Sequence, residues 1–162
     1  MNPQQIYQLL DKAKINYELI HHPAVFTSAE ADRYVEKYSF ARTKNLFLRT
    51  HNRKSYFLYV LLENNRFVEK TFRQAVGTSR LSFASPVELK QILGVEPGSV
   101  SPFNLLNDQD KQVKLIVSRQ VLVDNDLIGV HPNDNTQTII LRTTDLLKFL
   151  ECNKINTQII ND

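Results

Sequence analysis

Apolar and polar positions alternate along this chain in two distinct rhythms. Near the start, Ile6, Leu9, Leu10 and Ala13 recur at helical spacing behind Asn2 and Pro3. Asparagine caps free backbone donors and proline suits a first turn, so a helix over residues 3–13 is predicted. Tyr17–His21 then reads as a short strand. Thr27 and Glu30 stand at capping-box spacing before a helix running to about residue 38. Residues 45–49 and Tyr56–Leu62 are rich in aromatic and branched side chains, with the polar run His51, Asn52, Arg53, Lys54 as a hairpin connection.

Further on, Glu69–Val76 reads as a helix stopped by Gly77, and residues 80–83 as a strand. Ser85, Pro86 and Glu88 repeat the cap, proline and acid pattern, which predicts a helix to Leu93 ended by Gly94. The stretch 95–106 contains Pro97, Gly98 and Pro102 and is expected to be neither helix nor strand. Strands are expected over 113–117, Leu127–Val130 and 138–141, and Thr143 caps a last helix over about 144–151. The amide-rich end, 153–162, has little periodicity and is expected to fray. About seven short strands among four or five helices indicate an α+β fold, a curved, partly barrel-like mixed sheet surrounded by helices, with residues 1–152 as one domain and 153–162 as its tail.

Composition narrows the class. At 162 residues, 42% of them hydrophobic, the chain suits one core. Its longest apolar runs fall far short of a membrane span, and no signal-type leader is visible, so a soluble cytoplasmic protein with no membrane partner is expected. Cys152 is the only cysteine; it can close no internal disulfide, and near the end of the last helix it reads as structural or inert. A formal charge of +3 permits contact with a polyanion without the strongly basic profile of a dedicated nucleic-acid coat. There is no phosphate-binding glycine loop, dinucleotide fingerprint, paired-histidine metal motif or nucleophile-elbow serine, so neither cofactor nor metal is expected. His21 and His51 read as partly exposed strand-end residues.

Four segments carry more. They are His22-Pro23-Ala24-Val25-Phe26-Thr27; Thr43-Lys44-Asn45-Leu46-Phe47-Leu48; Gly77-Thr78-Ser79-Arg80-Leu81-Ser82-Phe83-Ala84, continued by Leu93-Gly94-Val95-Glu96-Pro97-Gly98-Ser99-Val100-Ser101-Pro102-Phe103; and Gly129-Val130-His131-Pro132-Asn133. In order and spacing they resemble the YbaK and prolyl-tRNA synthetase-associated editing domain family, from the first helix to about Leu150. The Lys-Asn-Leu-Phe-Leu and His-Pro-Asn forms look most like the freestanding branch that removes alanine from proline tRNA.

That resemblance implies a hydrolase acting on the acceptor end of mischarged tRNA, with prolyl-tRNA synthetase as a further partner and no DNA. It implies that Lys44 contacts the substrate near the terminal adenosine and its phosphate, and that the Gly98-Ser99-Val100-Ser101-Pro102 loop positions the ester. His131 then orients water or substrate. His22, Phe26, Thr27, Asn45, Gly129 and Asn133 line or support the pocket. Read alone, Lys44 is a surface lysine on a strand and the Gly98 loop a turn. Hydrolysis of a cysteine or serine ester, and a tRNA-binding module without turnover, stay open as alternatives.

Overall fold

The fold was obtained as a computed structural model; it describes every residue except Phe26 and Thr27, and of Ser28 and Ala29 the backbone alone. The Thr27 capping box and the pocket roles assigned to Phe26 and Thr27 therefore lie outside the described residues. Helix α1 (Pro3–Lys12) starts as its sequence dictates: the Asn2 side chain accepts from the Gln5 N–H at 3.0 Å, the Gln5 side chain accepts from the Asn2 N–H at 2.9 Å, and Ile6 and Leu10 are fully buried. After β1 (Tyr17–His21) and α2 (Ser28–Val35) comes the hairpin of β2 (Thr43–Thr50) and β3 (Tyr56–Leu62), followed by α3 (Glu69–Val76) and β4 (Leu81–Phe83). The Ser85 cap opens α4 (Pro86–Glu88), which runs on into a π-helical turn, Leu89–Leu93.

The second half holds β5 (Val113–Ser118), α5 (Arg119–Asp124), β6 (Leu127–Val130), β7 (Gln137–Arg142), α6 (Thr143–Cys152) and β8 (Thr157–Ile160). The α+β class is as expected. Among the described residues, however, the strands form two sheets rather than one: an antiparallel β1-β7-β6 sheet and a mixed β4-β2-β3-β5-β8 sheet. A bridge from Ala41 to Ile128, with the Ala41 N–H donating to the Leu127 carbonyl at 2.8 Å, stitches one sheet to the other.

Both faces of the five-stranded sheet are covered, which accounts for the nearly unbroken apolar run in β3. Phe47, Leu58, Val60, Leu115 and Val117 face a core shared with α1, α6 and Phe103, whereas Leu48, Phe57, Tyr59, Leu61 and Ile116 face a second core under Phe72 of α3.

Three expectations are corrected. The end of the chain does not fray: β8 pairs in parallel with β5, Ile155 and Ile160 are buried, and the Asp162 carboxylate accepts from the hydroxyls of Tyr59 and Ser118. A parallel edge strand is ordered by a partner some 40 residues away, which leaves no local pattern. Helix α5 was not expected, although Ser118 caps it by accepting from the Gln120 N–H. Within 95–106, Pro102–Leu106 wind into a 3-10 turn because the buried Asn104 accepts the Ser101 N–H through its side chain at 2.6 Å.

Candidate active site

The start of β2, the end of β6, the turn around Gly98 and the β1–β7 pair converge on one cavity of about 330 Å³. Lys44 and Asn45 reach it from β2, Gly98, Ser99 and Val100 from the turn, Gly129 and His131 from the end of β6, and His22 from the residue after β1. Segments 22, 44–45, 98–100 and 129–131, far apart in sequence, thus share one space. Ser101, Pro102 and Asn133 do not line it.

The turn has a local cause. Ser99 donates its N–H to the Glu96 carbonyl at 3.1 Å across Pro97 and Gly98, and Gly98 has φ +88°. Proline in the second place and a positive φ in the third are the type II requirements, so this glycine is there for its backbone. The Ser99 N–H is spent on Glu96, and those of Gly98 and Val100 carry no hydrogen bond among the described residues. Asn45 holds the turn against β2 by donating Nδ2 to the Val100 carbonyl at 3.0 Å.

Ser101, Asn104 and Asn133, outside the lining, position what lines it. The Ser101 hydroxyl donates to the His131 carbonyl at 2.8 Å, tying the turn to the end of β6. Asn104 Nδ2 donates to Asn133 Oδ1 at 2.7 Å, and Asn133, at φ +62°, donates in turn to the Met1 carbonyl. Gly129 is needed for space rather than for φ: a Cβ built there would lie 2.3 Å from Phe40 Cε2.

His131 is neutral at physiological pH. Desolvation pushes its imidazole down to about 4, against an upward pull from the Val100 backbone and the Asp134 carboxylate. Asp134 is itself held below the usual carboxylate range, chiefly by hydrogen bonding from Thr136. His22 is buried, with Nδ1 2.9 Å from its neighbour's carbonyl at Pro23 and Nε2 3.0 Å from Thr138 Oγ1. The ring forms part of the cavity wall, and Tyr34 of α2 stacks upon it.

Several lining residues were not anticipated from the sequence. Arg42 forms an ion pair with Asp32 at 3.1 Å, donates to the Val35 and Tyr38 carbonyls at the end of α2, and lies 3.6 Å over the Phe40 ring. Glu63 follows β3, and Val25, Val35, Phe40 and Val130 supply an apolar wall. Arginine, phenylalanine and glutamate in isolation carry no positional signal; only the cross-strand register brings them here. Cys152, His21 and His51 are exposed and lie away from the cavity.

Four of the buried side-chain polar atoms that lack a hydrogen-bond partner among the described residues belong to this lining: Arg42 Nη1, Thr43 Oγ1, Asn45 Oδ1 and His131 Nδ1. Native proteins satisfy most such atoms, so their gathering at one cavity marks a place where a polar ligand completes the structure. The hydroxyls of Ser99 and Thr43 make no hydrogen bond to a histidine among the described residues, so neither is set up as a nucleophile.

The fold is thus a mixed α+β frame of two sheets, with one polar cavity where segments of both meet. Residues 22–149 match the family model of that domain, and the chain belongs to the aminoacyl-tRNA editing domain family. It is 36% identical over 151 residues, covering 93% of this chain and 91% of the relative, to the prolyl-tRNA editing protein ProX of Acetoanaerobium sticklandii. To the mouse prolyl-tRNA synthetase associated domain-containing protein 1 it is 29% identical over 160 residues, 97% and 94% of the two chains. A crystal structure of a protein proposed as a trans-editing enzyme for prolyl-tRNA synthetase superposes with a TM-score of 0.74 over 99% of this chain and 96% of that one, at 15% identity.

Proposed function

We propose that this protein is a trans-editing deacylase: it hydrolyses the ester joining a wrongly attached amino acid, alanine, to the 3′ end of proline tRNA. It acts in the cytoplasm on the acceptor end of the tRNA. The observation that carries this reading is the cluster of unpartnered polar atoms around Lys44 and the Gly98 turn, in a cavity whose described residues include no activated nucleophile.

Water attacks the ester carbonyl carbon, with the neighbouring ribose hydroxyl taking part in its activation. The oxyanion that forms is met by the free N–H groups of the turn and by the Lys44 ammonium. Collapse expels the ribose oxygen, which takes up a proton, leaving free amino acid and free tRNA. His131, being neutral, positions the substrate or water through a single N–H or lone pair. Fixed placement of the ester is the protein's contribution.

The apolar wall of Val25, Val35, Phe40 and Val130 receives the amino-acid side chain. A synthetase pocket built for proline excludes the smaller alanine by only about 1 to 3 kcal/mol, so a second sieve that accepts alanine and rejects the proline ring is required. Deacylation assays on alanyl-, cysteinyl-, seryl- and prolyl-tRNA test the proposal. Alanyl-tRNA(Pro) is expected to be cleaved fastest and prolyl-tRNA(Pro) spared; binding of tRNA with no release of any amino acid would refute it.

A further inference from the structure

We propose that Glu63 is the counter-ion for the α-ammonium group of the bound aminoacyl ester, and so selects α-amino acids over neutral acyl groups. This rests on the deacylase reading above.

Four side chains of the lining carry formal charge: Asp32, Arg42, Lys44 and Glu63. Asp32 and Arg42 neutralise each other at 3.1 Å, and Arg42 is further held by two carbonyls. Lys44 and Glu63 have no ion-pair or hydrogen-bond partner for their side chains among the described residues. Among the described residues the cavity therefore offers one free cation and one free anion. The aminoacyl ester undergoing hydrolysis is complementary to that arrangement, with a developing oxyanion for the cation and an α-ammonium for the anion.

The strand register fixes where the two charges stand. Lys44 is directly opposite Leu61 on β3, and Glu63 follows two residues later, one position beyond the end of that strand. The Glu63 N–H donates to the Arg42 carbonyl at 2.9 Å, which pins the backbone carrying the carboxylate beside the chain that leads into Lys44, and both residues line the cavity. Among the described residues the two charges make no ion pair with each other, which leaves each free for an opposite pole of the substrate. An ammonium-to-carboxylate hydrogen bond is among the stronger ones, worth roughly a tenfold preference or more.

The test compares alanyl-tRNA(Pro) with lactyl-tRNA(Pro), in which a hydroxyl replaces the amino group, each rate divided by the spontaneous hydrolysis of the same ester. The wild-type protein is expected to favour the alanyl ester by about tenfold or more. Glu63→Gln is expected to bring that preference down toward one, chiefly through a lower rate on the alanyl ester, and Glu63→Asp to restore part of it. Equal treatment of the two esters by the wild-type protein overturns the inference. So does an equal fall on both esters in a Glu63→Gln variant of unchanged Tm, which would make Glu63 a support for Lys44 instead. Cleavage of neither ester by the wild-type protein overturns the deacylase reading itself and the inference with it, a result distinct from the other two.

Discussion

Replacing Gly129 by alanine adds one methyl group where no room exists. Its Cβ would stand 2.3, 2.8 and 2.9 Å from Cε2, Cδ2 and Cζ of Phe40, whereas ordinary contact begins at 3.4 Å, so the ring has to back away by more than an ångström at its nearest atom. The ring also meets the Arg42 guanidinium, 3.6 Å from its centroid. That guanidinium is fixed by Asp32 and by the carbonyls of Val35 and Tyr38. Retreat of Phe40 therefore loosens the contact that ties α2 to the start of β2.

Overpacking of this kind costs about 1 to 3 kcal/mol, and in a chain of this length each kcal/mol lowers Tm by roughly 2 to 4 °C. Gly129→Ala is thus expected to melt roughly 2 to 12 °C below the wild-type protein. Its kcat/KM on alanyl-tRNA should fall several-fold, because Gly129, Phe40 and Arg42 all line the cavity. A thermal-melt double-mutant cycle with Phe40→Leu isolates the cause: trimming the ring should recover about 1 kcal/mol or more of the loss, a coupling that distant sites do not show. Melting of Gly129→Ala within about 1 °C of wild type, or strict additivity in the cycle, refutes the steric reasoning.

Lys44→Ala should lower kcat/KM for deacylation by about 10²- to 10³-fold with Tm nearly unchanged, since it removes one electrostatic contact to the developing oxyanion and no packing; wild-type turnover would remove Lys44 from the mechanism. His131 makes stability fall with acid: unfolded, an imidazole protonates near 6.5, whereas the folded one resists until about 4. Its contribution is therefore complete above the unfolded value and lost as pH falls toward 4, up to about 3 kcal/mol, and urea melts of His131→Asn should show a shallower decline over that window. Ile160→Ala should cost about 2 to 4 kcal/mol in a thermal melt, because the side chain is 3% exposed; a loss below about 0.5 kcal/mol would mean that β8 adds nothing to the sheet.

What the sequence makes legible is what is encoded locally. The caps at Asn2 and Ser85, the stop at Gly94 and the turn at Gly98 each follow from a few consecutive residues, and each is found in place. The two-sided apolar run of β3 is legible because burial of both faces leaves no polar phase. Illegible from residues alone are pairings whose partners are remote. These include β8 against β5, Asn104 against Asn133, Arg42 against Asp32, and the gap at Gly129 filled by Phe40. Lys44, Gly98 and His131 were singled out through a family likeness; nothing in the local pattern around Lys44 distinguishes it from a surface lysine. Glu63 entered only through the ladder register.

The cavity also sets a relation between stability and ligand. Each buried polar atom left without a partner costs about 1 to 3 kcal/mol relative to a satisfied one, and Arg42, Thr43, Asn45 and His131 concentrate that cost at one place. A ligand that supplies partners recovers part of it and binds the folded state alone. A non-hydrolysable mimic, adenosine with alanine joined to its 3′ position by an amide, should therefore raise Tm. At a hundred times its dissociation constant the linkage amounts to about 2.7 kcal/mol, or roughly 5 to 11 °C here. Adenosine alone, which reaches neither the ester-binding turn nor the apolar wall, should do much less, and Lys44→Ala should blunt the response to the mimic. Binding by calorimetry of the mimic and of adenosine with equal affinity would place recognition in the nucleoside alone, and the unpartnered groups would then have no part in holding the aminoacyl ester.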